Sequence, residues 1–125
     1  NGKVLLIKND RGWDLPGGHI KQDENILSGL VREVFEETGL TLSSGDIKSM
    51  NMSHKNKRFF CGEFTTDDVQ LSDEHYEFGF YSLEEVLQMS DVDSVFKKAI
   101  KKCLSKDNYP VNISNVSKRI TLVVG

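Results

Sequence analysis

Glu33, Glu36 and Glu37 lie three and four residues apart in VREVFEETG, with Arg32 directly before them. On a helix turning about 100° per residue, these three carboxylates share one stripe. Leu27, Leu30, Val31, Val34 and Thr38 recur at i, i+3, i+4, i+7 and i+11 and form an apolar stripe roughly 120° away. The period predicts a helix over Glu24–Thr38 that buries one side and crowds negative charge on another. Like charges at these offsets repel by ~0.2–0.5 kcal/mol per pair in water, and by more when part-buried. Arg32 reaches Glu36 at i+4, but one guanidinium does not neutralise three carboxylates. A divalent cation does. Carboxylate oxygens suit hard ions, so Mg²⁺ is the expected metal and Mn²⁺ its substitute. Mg²⁺ held by a few carboxylates also takes water and phosphate oxygens, which points to a phosphate-bearing substrate. The plainer alternative is a solvated acidic face, which would suffice for an isolated EVFEE.

The surroundings argue against that alternative. Leu15-Pro16-Gly17-Gly18 supplies a bend whose backbone can approach a ligand closely. Gly39 follows Thr38, where a helix favours a left-handed residue at its end. Gly29 sits inside the predicted helix at a cost of about 1 kcal/mol relative to Ala. Close approach of a ligand or a neighbouring backbone would account for it.

Together these residues resemble the signature of the Nudix hydrolases. Gly18, Glu24, Arg32, Glu33, Val34, Glu36, Glu37, Gly39 and Leu40 stand at all of its defining positions, and the likeness is specific over Leu15–Leu40. The resemblance implies an α/β/α sandwich with a mixed β-sheet. It also implies Mg²⁺-dependent hydrolysis of a nucleoside diphosphate linked to a further group, with water attacking phosphorus. By the same resemblance Glu33, Glu36 and Glu37 are metal ligands joined by the Gly17 carbonyl. Glu33 acts as general base in some members, oriented by Arg32, and Glu24 supports the loop or an additional metal. Many members use a further acid remote in sequence; Asp73, Glu74 and Glu77 in DEHYE are the candidates, with Glu77 carried as the catalytic one. Gly17, Gly18 and His19 are the expected substrate contacts, although His19 equally reads as an ordinary loop residue.

The resemblance says less about the substrate. The segment SHKNKR around His54–Arg58 lacks the Pro of ADP-ribose hydrolases and the Tyr of diadenosine polyphosphate hydrolases. That leaves the MutT-like group acting on (d)NTPs or related nucleotides. ADP-ribose, dinucleoside polyphosphates and nucleotide sugars stand as alternatives. Trp13, Phe59, Phe60, Tyr76 and Phe78 are candidates to stack a base, though strand aromatics more often pack a core. A rival class is a non-catalytic nucleotide-binding regulator; such modules carry degraded signatures, and this one is intact.

The elements that must position these residues follow from the pattern. Lys3–Lys8 reads as a strand, Asn9–Gly12 as a turn and Trp13–Pro16 as a short extended piece. Ile47–His54 and Arg58–Thr66 read as a hairpin broken at Lys55-Asn56-Lys57, and His75–Tyr81 as another strand. Ser82 with Glu85 forms a capping box, and Asp93–Lys106 a helix with Lys97, Lys98, Lys101, Lys102 and Lys106 on a solvated face. Interleaved strands and helices make an α/β layout, with residues 1–125 as one domain. Joined end to beginning, ITLVVGNGKVLLIK reads as two strands about a Gly-Asn-Gly hairpin. The expectation is a circularly permuted order in which Lys118–Gly125 supplies the strand that normally precedes Lys3–Lys8, with Asn108–Ser117 a joint or tail.

At 38% hydrophobic and 28% charged the composition is that of a globular domain, and a net charge of −3 gives no electrostatic drive toward nucleic acid. No apolar run reaches membrane length and no signal peptide opens the chain, so a cytoplasmic protein without membrane contact is expected. Cys61 and Cys103 are distant and outside any CxxC, which predicts reduced, part-buried thiols. His19, His54 and His75 are scattered and predict no ligand cluster.

Overall fold

The structure is a computed structural model and describes residues 2–105 and 118–125. Strand β1 (Lys3–Asn9) is the centre of a mixed seven-stranded sheet. Its side chains alternate between two cores, as the period of two along a strand requires. Val4 and Leu6 pack on one face with Phe59, Val86, Val92, Ala99 and Ile100. Leu5 and Ile7 pack on the other with Leu30, Val34, Phe60, Ile120 and Leu122. Helix α1 (Ile26–Thr38) covers the second face, and α2 (Leu83–Gln88) with α3 (Ser94–Cys103) the first. This is the expected α/β/α sandwich.

The remaining strands are β2 (Gly12–Asp14), β3 (Gly17–Gly18), β4 (Ile47–His54), β5 (Lys57–Phe64), β6 (Glu77–Tyr81) and β7 (Lys118–Val124). β6 runs antiparallel along one edge of β1. The other edge is shared: β7 pairs with Lys3–Leu5, and β2 with Ile7–Asn9. β7 in turn leaves β1 after Ile120 and takes β3 beside Val123 and Val124. The sheet therefore forks where the parallel strands β1 and β7 diverge, and the LPGG segment fills the fork. Diverging carboxyl ends of parallel strands are where α/β sheets place ligand sites.

Lys118–Val124 does lie beside β1, but the hairpin expectation is corrected. The pairing is parallel, with Lys3 opposite Lys118, whereas a Gly-Asn-Gly hairpin demands antiparallel strands. Gly2 lies against Arg119 near the start of β7. Gly125 follows its far end, about 20 Å along a strand of this length. The described residues thus form no Gly-Asn-Gly hairpin, although Lys118–Val124 is a neighbour of β1. Asn1, Lys106 and the segment Asn108–Ser117 lie outside the described residues.

The reduced-thiol expectation is also corrected: Cys61 and Cys103 form a disulfide. Both are fully buried, Cys61 facing α3 from β5 and Cys103 on the apolar side of α3. Sequence spacing hid a proximity created by the helix packing across the strand. Helix α1 starts at Ile26 rather than Glu24 because Asn25 caps it, its side chain accepting from the Ser28 N–H at 2.8 Å. It ends as predicted on Gly39, at φ 74°.

Candidate active site

The glycine loop is held by both of its neighbours. Val123 N–H donates to the Pro16 carbonyl and Gly125 N–H to that of Gly18, at 3.2 and 3.4 Å. The intervening Gly17 N–H turns the other way and donates to Glu37 Oε1 at 2.8 Å. A Cβ on Gly17 would collide with the Val123 backbone, and one on Gly18 would come within 2.7 Å of Glu33 Oε2. Neither position admits a side chain unless something moves. The signature glycines thus bring α1 carboxylates against backbone.

Arg32 is the hub of the helix face. Its guanidinium donates to both oxygens of Glu24, at 2.9 and 2.8 Å, and to Glu33 Oε1 at 3.0 Å. It reaches Glu36 Oε1 at 2.8 Å. The Arg32 hydrogen bonds, then that from the Lys21 N–H, hold Glu24 well below the usual carboxylate range, at about 2. The Glu24 and Glu36 carboxylates in turn raise Arg32. Gly29 is explained here without a ligand: a Cβ would meet Ile20 Cδ1 at 2.6 Å and Glu24 Oε1 at 3.0 Å.

Glu37 lies outside this fan of charge-assisted bonds. Burial pushes its carboxyl up to about 7 against the opposing Gly17 hydrogen bond, and the charges of Glu33, Asp14 and Glu74 push the same way. The loop after β5 delivers the last of these. Gln70 N–H donates to the Thr38 carbonyl and Ser72 N–H to that of Glu37, satisfying carbonyls at the end of α1. Tyr76 N–H donates to the Lys8 carbonyl at 3.0 Å. Clamped at both ends, the loop places Glu74 and His75 beside Glu37. One potential ligand atom from each of these three lies within 4.8 Å of the others.

The cluster opens into a cavity of about 450 Å³ lined also by Asn9, Asp10, Arg11, Asp14, Asp73 and Tyr76. The three signature glutamates are therefore divided. Glu37 faces the cavity, Glu33 meets Gly18, and the half-exposed Glu36 pairs with Arg32. As a fit test for a divalent cation, the donor set is favourable. It is carboxylate-rich and short of countercharge at Glu37, and it includes a ring nitrogen of the buried His75.

Glu77 is not brought to this cluster. On β6 it has the parity of Tyr81, which packs toward α2 and α3, whereas Phe80 faces the α1 side. Of the acids in DEHYE, Glu74 is the one that lies beside Glu37. His19 also misses the acidic cavity: its Nδ1 lies 2.8 Å from the Gly125 carbonyl, and its ring lines a second cavity with His54, Lys55, Lys57 and Phe96. Of the candidate stacking aromatics, Trp13, Phe59 and Phe60 are core residues, while Tyr76 is 61% exposed and lines the acidic cavity. Sequence reasoning missed His75 and Asp14. Adjacency to Glu74 was the available signal for His75, and nothing in the sequence pointed to Asp14.

Comparison with known proteins agrees with this fold. The NUDIX domain profile matches residues 1–103. The chain belongs to the Nudix family. A MutT protein from Methanosarcina mazei Go1 is 31% identical and has a TM-score of 0.67, over 86% of this chain and 92% of that one. This Nudix chain is 51% identical over 56 residues to the m7GpppN-mRNA hydrolase NUDT17 of Danio rerio, covering 39% of the chain and 19% of the relative. It is 38% identical over 75 residues to the nucleoside diphosphate-linked moiety X motif 6 protein of Xenopus laevis, covering 57% and 33%. It thus spans a fifth to a third of the length of these curated relatives. The C. elegans Ap4A hydrolase, 20% identical with a TM-score of 0.55 over 78% of this chain and 81% of that one, shares the fold. No helix among the described residues is long and apolar enough to cross a membrane.

Proposed function

We propose that this Nudix domain hydrolyses the diphosphate linkage of a nucleoside diphosphate derivative, in the manner of a MutT-like (d)NTP pyrophosphohydrolase, with Mg²⁺ as cofactor. The observation that carries the reading is Glu37: a buried carboxyl fixed to the Gly17 N–H and crowded by Glu33, Asp14 and Glu74. Such crowding destabilises the domain unless a cation is bound there. Glu33, Glu36, Glu37 and the Gly17 carbonyl would hold the metal. Bound there, it supplies charge neutralisation at the diphosphate and acidifies water.

The protein's own groups do the positioning. Arg32 orients Glu33 and Glu36, and Glu24 braces Arg32 through a bidentate pair. Glu74 is assigned the general-base role previously carried by Glu77, because it lies beside Glu37 at the cavity. Arg11 offers a cation to a substrate phosphate, and Tyr76 an exposed ring to its base.

The test is release of phosphate, pyrophosphate or nucleoside monophosphate from a substrate panel, with and without Mg²⁺. The panel holds NTPs, dNTPs, ADP-ribose, nucleotide sugars, dinucleoside polyphosphates and capped dinucleotides. Strictly Mg²⁺-dependent turnover of a nucleotide is expected. Nucleotide binding without turnover of any member would instead favour a regulator. The likeness to an mRNA-cap hydrolase favours a second substrate class, dinucleoside polyphosphates, whose two nucleosides flank a polyphosphate.

A further inference from the structure

The cavity that His19 lines has no part in the hydrolase reading. It holds about 490 Å³ between the β4–β5 turn and the start of α3, beside Gly125. Val95 and Phe96 give it an apolar side, and the Phe96 ring meets Phe59 edge to face with centroids 6.3 Å apart. Lys55 and Lys57, both exposed, bring positive charge from the turn. Lys57 has the parity of Phe59, so its side chain leaves β5 on the α3 face, and its Nζ stands 5.3 Å from the Phe96 ring centre. Lys55 stands at φ 56°, in the left-handed region that Gly or Asn enters with less strain. Asp93 is the only carboxylate side chain among the described residues of the lining. Its Oδ1 accepts from the Val95 N–H at 2.8 Å and caps α3.

Strand register fixes where this cavity lies. Val124 pairs with Gly18 on one side and with Arg58 on the other. Neighbouring strands stand about 4.8 Å apart, so the backbone next to Lys57 lies about 10 Å from the glycine loop. Gly18 is the residue that meets Glu33, and His19, next along the chain, lines the cavity. A diphosphate held at the glycine loop therefore has one cavity on either side. Five carboxylates, those of Asp10, Asp14, Glu37, Asp73 and Glu74, line the acidic one, together with the exposed Tyr76 ring. The lysine-bearing cavity is its opposite in charge. A neutral nucleoside suits the Tyr76 side, whereas a moiety with negative charge of its own is drawn to the lysines.

We propose that Lys55 and Lys57 are specificity-determining residues that select substrates whose linked moiety is a nucleoside carrying a phosphate beyond the cleaved diphosphate. The selection deepens the hydrolase reading and rests on it for the position of the diphosphate. Phe96 takes the flat ring of the linked nucleoside, and the two lysines take its additional phosphate. Lys57 is free to make the exchange, because a cation–π contact at an exposed site is weaker than a charge-assisted hydrogen bond to phosphate. A plain dinucleoside polyphosphate supplies the ring without the charge. A 3′-phosphorylated nucleotide and the first linkage of an RNA chain each supply both.

Binding is measured first, because it needs no turnover. Calorimetry compares a nucleoside 5′-monophosphate with the matching 3′,5′-bisphosphate in the wild-type chain and in two double variants. One is Lys55→Gln with Lys57→Gln. The other, Lys98→Gln with Lys101→Gln, removes the same charge from exposed positions of α3 outside the cavity lining. The wild-type chain should bind the bisphosphate about tenfold more tightly. That ratio should fall below twofold in the first variant and persist in the second. A wild-type ratio below threefold, no measurable binding of the bisphosphate, or equal loss of the ratio in both variants would overturn the selection. Initial rates on a dinucleoside polyphosphate, its 3′-phosphorylated form and a capped RNA dinucleotide should place the preference in KM. Monoester against diester then tells a mononucleotide from an RNA chain as the source of the phosphate. Turnover with equal KM for all three refutes the selection alone, and the binding ratio without turnover of any of them refutes the hydrolase reading alone.

Discussion

The Gly17 N–H and Glu37 Oε1, twenty residues apart in sequence, meet at 2.8 Å. This bond ties the glycine loop in the sheet fork to the last turn of α1, and it fixes the orientation of the most buried acid of the cluster. It works against desolvation, since a hydrogen bond to the ionised form lowers a carboxyl while burial raises it. Burial prevails: in the metal-free chain the Glu37 carboxyl is pushed up to about 7.

A pH dependence of stability follows. Because the folded-state value lies above the ordinary 4.5, the folded chain binds the Glu37 proton more tightly than the unfolded chain does. Without metal, that contribution is complete below pH 4.5 and is lost as pH rises toward 7. Allowing for the partial exposure of the carboxyl, the loss is about 1–2 kcal/mol. Thermal melts in EDTA should fall by several degrees over this window in the wild-type chain and stay flatter in Glu37→Gln. Added Mg²⁺ should restore stability near pH 7. Equal slopes for both chains would show that Glu37 does not titrate in this range.

Substitutions on the acidic side chains separate ligands from supports. Glu37→Gln and Glu33→Gln preserve volume, and each should lower turnover by at least about 100-fold with the fold intact. Glu74→Gln should cost about as much, while Glu77→Gln, on the opposite face of β6, should stay near wild type. Glu24→Gln should cost about tenfold, acting through Arg32. Arg32→Lys should be worse, because an ammonium cannot reproduce the fork that joins Glu24 to Glu33 and Glu36. Initial rates at saturating Mg²⁺ check the order. Loss in Glu77→Gln with retention in Glu74→Gln would reverse the assignment of the remote acid.

The glycines should divide by what their neighbours can do. Gly17→Ala drives a methyl into the Val123 backbone and should destabilise by about 2 kcal/mol or more. Gly18→Ala presses on the Glu33 carboxylate and should reduce activity more than stability. At Gly29 the nearest atom is the end of the Ile20 side chain, which can move, and Ala gains about 1 kcal/mol of helix propensity. Gly29→Ala should therefore lie within about 1 kcal/mol of wild type. Denaturant melts and rates on the three variants read the difference.

Local periodicity made α1, its Gly39 stop, the β4–β5 hairpin and the Ser82 capping box legible, because each depends on residues within a few positions. The Arg32 network was legible in part: the i+4 bond to Glu36 follows from helix geometry, but the stronger one to Glu24 depends on how the loop before α1 folds back. Strand direction was not legible. β7 has the composition of a hairpin partner for β1, yet its antiparallel ladder is made with β5 over seven residue pairs, which leaves only the parallel edge for β1. His75 was missed for a similar reason, since its neighbours Glu37 and Asp14 come from a different helix and a different strand.

The Cys61–Cys103 disulfide gives a prediction that leaves the acidic cluster untouched. It closes a loop of 42 residues between β5 and α3, on the face of the sheet opposite α1. Chain-entropy reasoning for a loop of that size gives about 4 kcal/mol of stabilisation. Replacing both cysteines with Ala should lower the melting temperature by about 10 °C or more. Mg²⁺ affinity at 25 °C should be unchanged, because no residue of the acidic cluster touches the bridge. Melting wild-type protein with a thiol reductant should approach the same value, as the buried bond becomes accessible once the chain opens. A doubly substituted chain that melts within a degree or two of wild type would mean that packing of α3 on β5, not the covalent link, holds this face together.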